Sequence, residues 1–200
     1  MDTTRLIIVA VGGQGNLLSS KVLAEAALIE NMPVRLSEIH GMAQRGGVVE
    51  SSLVFGDAES TIISDGQADI LVGFEPSETL RAMNRCSENT TVITNTHPLP
   101  PFTAAIGRGV YPDIDEVLRI VEENTARLYA FDAMDLAKQA GNPMTMNIVL
   151  LGALLKSGTL PFSRQSMEEA VRRKTKPSFT DMNLEAFDLG YRGLETAGAV

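Results

Sequence analysis

The sequence predicts an α/β chain built on a doubly wound, largely parallel, Rossmann-like sheet with C-terminal helices. Three observations carry this. Leu6-Ile7-Ile8-Val9-Ala10-Val11 is an unbroken apolar run that stops at glycines, as a strand buried on both faces does. The period then changes, with Leu18, Val22, Ala26 and Ile29 recurring at helical spacing. Beyond them, further apolar or β-branched runs alternate with helical stretches, the order that a parallel sheet covered by helices requires.

The elements follow in order. Asn16 is the expected cap of the first helix, which Asn31-Met32-Pro33 ends. Val34 to Glu38 reads as a second strand and Ile39 to Gly47 as a loop. Val48 to Phe55 reads as a strand closed by Gly56-Asp57. Ile70 to Phe74 is another buried strand, and Pro76 suits the first turn of a helix running to about Cys86. Thr90 to Asn95 is β-branched and strand-like, and His97 to Pro112 is proline-rich and irregular. Asp113 caps a helix through Asn124, Leu128 to Phe131 is a strand, and Asp132 to Ala140 is helical up to the break at Gly141-Asn142-Pro143. Met144 to Leu155 is nearly all apolar, so this helix is expected between layers. Ser163 to Thr175 and Asp181 to about Thr196 complete the helices. No repeat and no linker interrupts the pattern, so residues 1–200 are expected to form a single domain.

Composition excludes several classes. A net charge of −8 opposes nucleic-acid binding, which needs a basic face. The one dense basic run, Arg172-Arg173-Lys174 with Lys176, reads as a solvated helix C-terminus. The single cysteine, Cys86, permits no internal disulfide and no cluster held by four thiolates of this chain; it reads as a small buried hydrophobe. No basic segment precedes a long apolar one near Met1, and no apolar run approaches the roughly 20 residues that span a bilayer. The expected compartment is the cytoplasm, with no membrane contact.

Two motifs carry chemistry. Ala10-x-Gly12-Gly13-Gln14-Gly15 lies between a strand and a helix, where small residues let the backbone approach a phosphate at the positive helix end. Glu38 is placed to accept ribose hydroxyls. The alternative is that Gly12, Gly13 and Gly15 serve only a tight turn and close packing. The second motif is His40-Gly41-Met42-Ala43-Gln44-Arg45-Gly46-Gly47. Arg45 suits a carboxylate or a phosphate. His40 suits proton transfer or, equally, a hydrogen-bonded interface role. Glu38, His40, Gln44 and Arg45 are expected at a subunit interface or near an active site. No residue is assigned a catalytic role and none a metal.

Together, Val11-Gly12-Gly13-Gln14-Gly15 and His40 to Gly47 resemble the gamma subunit of 2-oxoacid:ferredoxin oxidoreductases, and within that family the small (beta) subunit of indolepyruvate oxidoreductases. Gln67-Ala68-Asp69, Tyr111-Pro112, Leu136-Ala137, Gly141-Asn142, Asn147 to Gly152 and Asn183 to Phe187 agree, so the resemblance covers nearly the whole chain. It departs at Ala10, where the family usually has glycine, and at Asn16, where it often has an aliphatic residue. The resemblance implies a complex that decarboxylates a 2-oxoacid, an aryl pyruvate first among the options, and reduces ferredoxin while forming an acyl-coenzyme A. Thiamine diphosphate, magnesium and iron–sulfur clusters would sit on a larger partner subunit. Consistent with this, the chain lacks both cluster cysteines and a thiamine diphosphate motif.

Gly12, Gly13, Gln14, Gly15 and Arg45 are the candidate coenzyme A phosphate surface. The competing readings are a stand-alone NAD(P)- or flavin-dependent oxidoreductase and a non-enzymatic nucleotide-binding module. The subunit reading requires an apolar patch covered by a partner or by a second copy in a homodimer. Met144-Thr145-Met146 and His97 to Pro101 are candidates for that patch; core packing and a rigid surface loop are their alternatives.

Overall fold

The computed structural model describes residues 3–41, 47–100 and 110–197, with side chains described as far as residue 194. Six strands form one sheet: β1 (Thr4–Val11), β2 (Val34–His40), β3 (Val48–Phe55), β4 (Ile70–Gly73), β5 (Thr91–Asn95) and β6 (Arg127–Phe131), in the order β2-β3-β1-β4-β5-β6. β1, β4, β5 and β6 run parallel, with Ile8 opposite Val72 and Val72 opposite Ile93. β3 is antiparallel to both β1 and β2, so β2 again runs with β1. The sheet is thus largely parallel, as expected, with β3 reversed. The reason is length: residues 41–47 are too few for a crossover, which takes a dozen or more, so β2 and β3 pair as a hairpin.

The described residues hold seven α-helices: α1 (Asn16–Ile29), α2 (Pro76–Arg81), α3 (Ile114–Glu123), α4 (Ala133–Gln139), α5 (Met146–Lys156), α6 (Arg164–Lys174) and α7 (Thr180–Ala197). Alternation along β1 divides the core. Leu6, Ile8 and Ala10 pack with α1, α4, α5, α6 and α7 on one face, whereas Ile7 and Val9 pack with Ala82, Val117 and Val121 from the α2 and α3 side. That is the doubly wound arrangement.

The apolar helix is α5, and every residue from Met146 to Leu155 is buried. It crosses α7 at contact distance through two glycines. A β-carbon on Gly152 would lie 2.0 Å from the Phe187 carbonyl oxygen, and one on Gly190 would lie 1.9 Å from that of Val149. Only glycine lets these backbones meet.

Two local expectations need correction. Gly15, not Asn16, occupies the cap position of α1, without a side-chain cap. Asn16 turns its side chain inward instead: its Nδ2 donates to the carbonyls of Ile8 (3.3 Å) and Val49 (3.0 Å), and its Oδ1 accepts from the Ser51 hydroxyl. The reversed β3 places those acceptors beside β1, and the sequence does not announce that pairing. Cys86 is half-buried rather than buried, and burial pushes its thiol up to about 11, which leaves it protonated and unreactive. The basic run behaves as expected: at the end of α6, Arg173 pairs with Glu169 and Glu25, and Lys174 pairs with Glu25.

Candidate functional site

After β1 the chain enters α1 on one face, and after β4 it enters α2 on the other. The crevice at the carboxyl ends of β1 and β4 is therefore the topological switch point, where open α/β sheets bind ligands.

The glycine turn forms one lip of this crevice. Gly13 (φ +101°) and Gly15 (φ +86°) occupy the left-handed region, which side-chain-bearing residues rarely adopt. Gly15 is restricted twice over, since a β-carbon there would lie 2.7 Å from Asn147 Nδ2. Asn147, buried on α5, donates to the Gly15 carbonyl and to the Ser19 hydroxyl, both at 3.2 Å. Gln14 is a staple. Its Oε1 accepts from the Val11 N–H at 2.8 Å and its Nε2 donates to the Phe74 carbonyl at 3.2 Å. The Gly12 N–H donates to the Gly47 carbonyl at 2.8 Å, which joins the turn to the end of the second motif. Among the described residues, the backbone N–H groups of Gly13, Gly15, Asn16 and Leu17 find no acceptor, so the positive end of α1 remains available to an anion.

Two clefts flank the turn and share Gly13 and Met144 as walls. The smaller, about 200 Å³, lies between Gly13-Gln14 and the segment after β5, with Asn95, His97, Pro98 and Leu99, and Met134 and Met146 behind. The larger, about 370 Å³, opens between Gly15, Leu18, Asn147 and the start of α7, with Phe179, Met182 and Asn183. Met144 stands between them, 74% exposed, while Thr145 and Met146 are buried; Leu99 is half-exposed.

The opposite lip is made by Asn95 and Glu75, which sequence reasoning left without a site role, and by His97 to Leu99 from the candidate apolar patch. Asn95 donates to the Phe74 carbonyl at 3.1 Å and accepts at Oδ1 from the N–H groups of His97 and Ala133. His97 Nδ1 lies 3.5 Å from Asp132, whose other oxygen caps α4. Glu75 is fully buried and caps α2 through the Glu78 N–H; it also accepts from Ser77, Leu99 and Tyr111. Burial, and then the Glu75 carboxylate beside it, holds the Tyr111 phenol above its ordinary range. Glu78 is raised as well, chiefly by burial; its Oε1 meets Arg81 at 3.1 Å and its Oε2 has no partner among the described residues. One signal was available in the chain: a carboxylate set between a buried strand and Pro76 is positioned to cap the next helix.

The remaining predicted residues separate. Glu38 stands on β2, with β3 between it and β1, whereas a dinucleotide fold sets its ribose-binding strand directly beside the first. Its carboxylate accepts from the Ser20 hydroxyl at 3.0 Å and lies 3.6 Å from His40 Nε2. His40 is exposed at the end of β2. Gln44 and Arg45 lie outside the described residues. No described helix is long and apolar enough to cross a membrane.

Residues 5–193 match the model of the pyruvate ferredoxin/flavodoxin oxidoreductase family. The chain is 40% identical over 194 residues to the indolepyruvate oxidoreductase subunit IorB of Pyrococcus horikoshii, covering 96% of each. Among solved structures it is similar to the gamma subunit of a keto/oxoacid ferredoxin oxidoreductase from Geobacter sulfurreducens, with TM-score 0.71, 23% identity and coverage of 97% of this chain and 99% of that one. It is also similar to part of the 2-oxoglutarate:ferredoxin oxidoreductase of Magnetococcus marinus, solved with 2-oxoglutarate, coenzyme A and succinyl-CoA bound. The TM-score there is 0.75 at 19% identity, over 99% of this chain and 32% of that one. The switch-point architecture, the paired motifs and a match over almost the full length together show that this chain belongs to the pyruvate ferredoxin/flavodoxin oxidoreductase family.

Proposed function

We propose that this chain is the small subunit of a 2-oxoacid:ferredoxin oxidoreductase of the indolepyruvate type, acting as one domain within a cytoplasmic complex. The observation that carries the reading is the 40% identity to an indolepyruvate oxidoreductase subunit across 96% of both chains. An aryl pyruvate loses carbon dioxide, its electron pair leaves for ferredoxin, and the acyl group passes to the coenzyme A thiol. Thiamine diphosphate, magnesium and the iron–sulfur clusters belong to the larger partner subunit, which supplies the carbanion chemistry and the electron path. A chain with one cysteine is consistent with that division.

This subunit's own contribution is a binding surface. The unpaired amides at the start of α1 are set to hold the coenzyme A phosphates, Arg45 is assigned to the same task from the sequence, and the flanking clefts are lined for the less polar parts of coenzyme A. The relative from Magnetococcus marinus, which shares the fold, binds coenzyme A. Glu38 and His40 of β2 are assigned to the subunit interface or to the neighbourhood of the active site, and from the sequence alone Gln44 and Arg45 are assigned with them. The test is co-expression with the larger subunit, followed by indolepyruvate-dependent reduction of ferredoxin. Activity that requires both chains and coenzyme A supports the proposal; oxidoreductase activity of the isolated chain with a nicotinamide or flavin would sink it. In the complex, Arg45→Ala should raise KM for coenzyme A, and an unchanged KM counts against the phosphate surface.

A further inference from the structure

Phe74 and Glu75, the two residues after β4, are tied to the segments that wall the smaller cleft. The Phe74 carbonyl accepts from Gln14 of the glycine turn at 3.2 Å and from Asn95 of β5 at 3.1 Å. Glu75, 0% exposed, divides its two oxygens. Oε2 takes the Ser77 hydroxyl and the Glu78 N–H, both from α2. Oε1 takes the Leu99 N–H at 3.2 Å and the Tyr111 hydroxyl, one from each stem of the segment between β5 and α3.

Capping alone does not explain a glutamate here. Elsewhere in the chain Asp113, Asp132, Asn142 and Ser163 cap helices, and these are the short side chains that capping favours. Glu75 is one methylene longer, and its second oxygen is spent outside the helix. That oxygen fixes Leu99, which with Pro98 forms the wall facing Gly13 and Gln14. Four donors converging on one buried carboxylate make a rigid joint, because each would be left unpaired if the joint opened.

We infer that Glu75 is a positioning residue: through Oε1 it holds the Pro98-Leu99 wall against the glycine turn and so sets the affinity of the cleft for coenzyme A. This rests on the reading of the turn as the coenzyme A surface. Two substitutions separate the role from capping. Glu75→Asp keeps a favoured cap and withdraws the reach to Leu99 and Tyr111. Tyr111→Phe removes one donor and leaves the carboxylate in place.

The assembled complex is assayed with coenzyme A varied, and amide hydrogen exchange is followed at Leu99. Glu75→Asp should speed exchange at Leu99 by roughly tenfold, the loss of about one hydrogen bond, and Tyr111→Phe should speed it less because the Leu99 N–H keeps its acceptor; both should raise KM for coenzyme A while kcat holds. If Glu75→Asp matches the wild type in both readouts, Glu75 is only a cap and the inference is overturned. Faster exchange at Leu99 with an unmoved KM overturns it too. If Arg45→Ala raises KM while neither variant does, the positioning role alone falls. If both variants raise KM and Arg45→Ala does not, the Arg45 phosphate contact falls and the positioning role stands.

Discussion

The two loops that meet at the switch point solve one problem with opposite chemistry. On the α1 side, neutral amides hold the turn: Gln14 staples it to Phe74, Asn16 bridges β1 and β3, and Asn147 braces the Gly15 carbonyl from α5. On the α2 side, carboxylates do the work: Glu75 gathers four donors, and Glu78 beside it keeps one oxygen unpartnered. A neutral network spends its donors internally and leaves the backbone N–H groups of the turn free for a ligand. A charged one binds its surroundings more tightly and is sensitive to protons and to the loss of any partner. The ligand-facing lip is therefore built from amides and glycine, and the rigid lip from buried carboxylate.

Breaking the charged side should cost most. Glu75→Ala orphans four donors, those from Ser77 and Glu78 buried, and is expected to lower unfolding stability by about 3 kcal/mol, read from urea unfolding. The neutral side comes next. Gly15→Ala forces a β-carbon into the left-handed region and against Asn147, with an expected loss of about 2 kcal/mol. Asn147→Ala in the same chain should recover only part of this loss, because it opens space and leaves φ strained; full recovery would show that crowding alone makes Gly15 necessary.

Protons sharpen the comparison. Burial raises the Glu78 pKa above 4.5 in the folded state, so folding is favoured while the group is protonated in both states. Its stabilising effect is complete below pH 4.5 and is lost as pH rises through the higher folded value. Glu78→Gln should therefore flatten the stability–pH curve above that range, as urea midpoints at acidic and mildly alkaline pH would show. An unchanged slope would mean that the Oε2 carries no cost. The smallest effect is spectroscopic. Tyr111, shifted upward by burial and by Glu75, should be the last of the three tyrosines to ionise in an ultraviolet titration of the native chain.

Much of this architecture was legible before any coordinate. The apolar run of β1, the change of period at α1 and the near-uniform hydrophobicity of α5 each report a local environment directly: a strand buried on two faces, the start of a helix, and an enclosed helix. The reversed β3 was legible in principle too, since the loop expected from Ile39 to Gly47 is shorter than the dozen or so residues a parallel crossover takes. Glu75 was legible as a cap but not as a clamp. Its partners Leu99 and Tyr111 lie far along the chain, and no spacing rule connects them to it.

The sequence by itself determined the alternation of elements, the place of the glycine turn and the family, because strand and helix periods and short motifs are written in neighbouring residues. Tertiary structure decided what the polar residues do. Asn16 became a bridge rather than a cap because β3 runs back beside β1. Glu38 stands a strand away from β1 for the same reason, and Asn95, Asn147 and Glu75 became the supports of the crevice. A buried polar group takes whichever partner the packed chain brings within about 3 Å, and that choice is made by the whole fold.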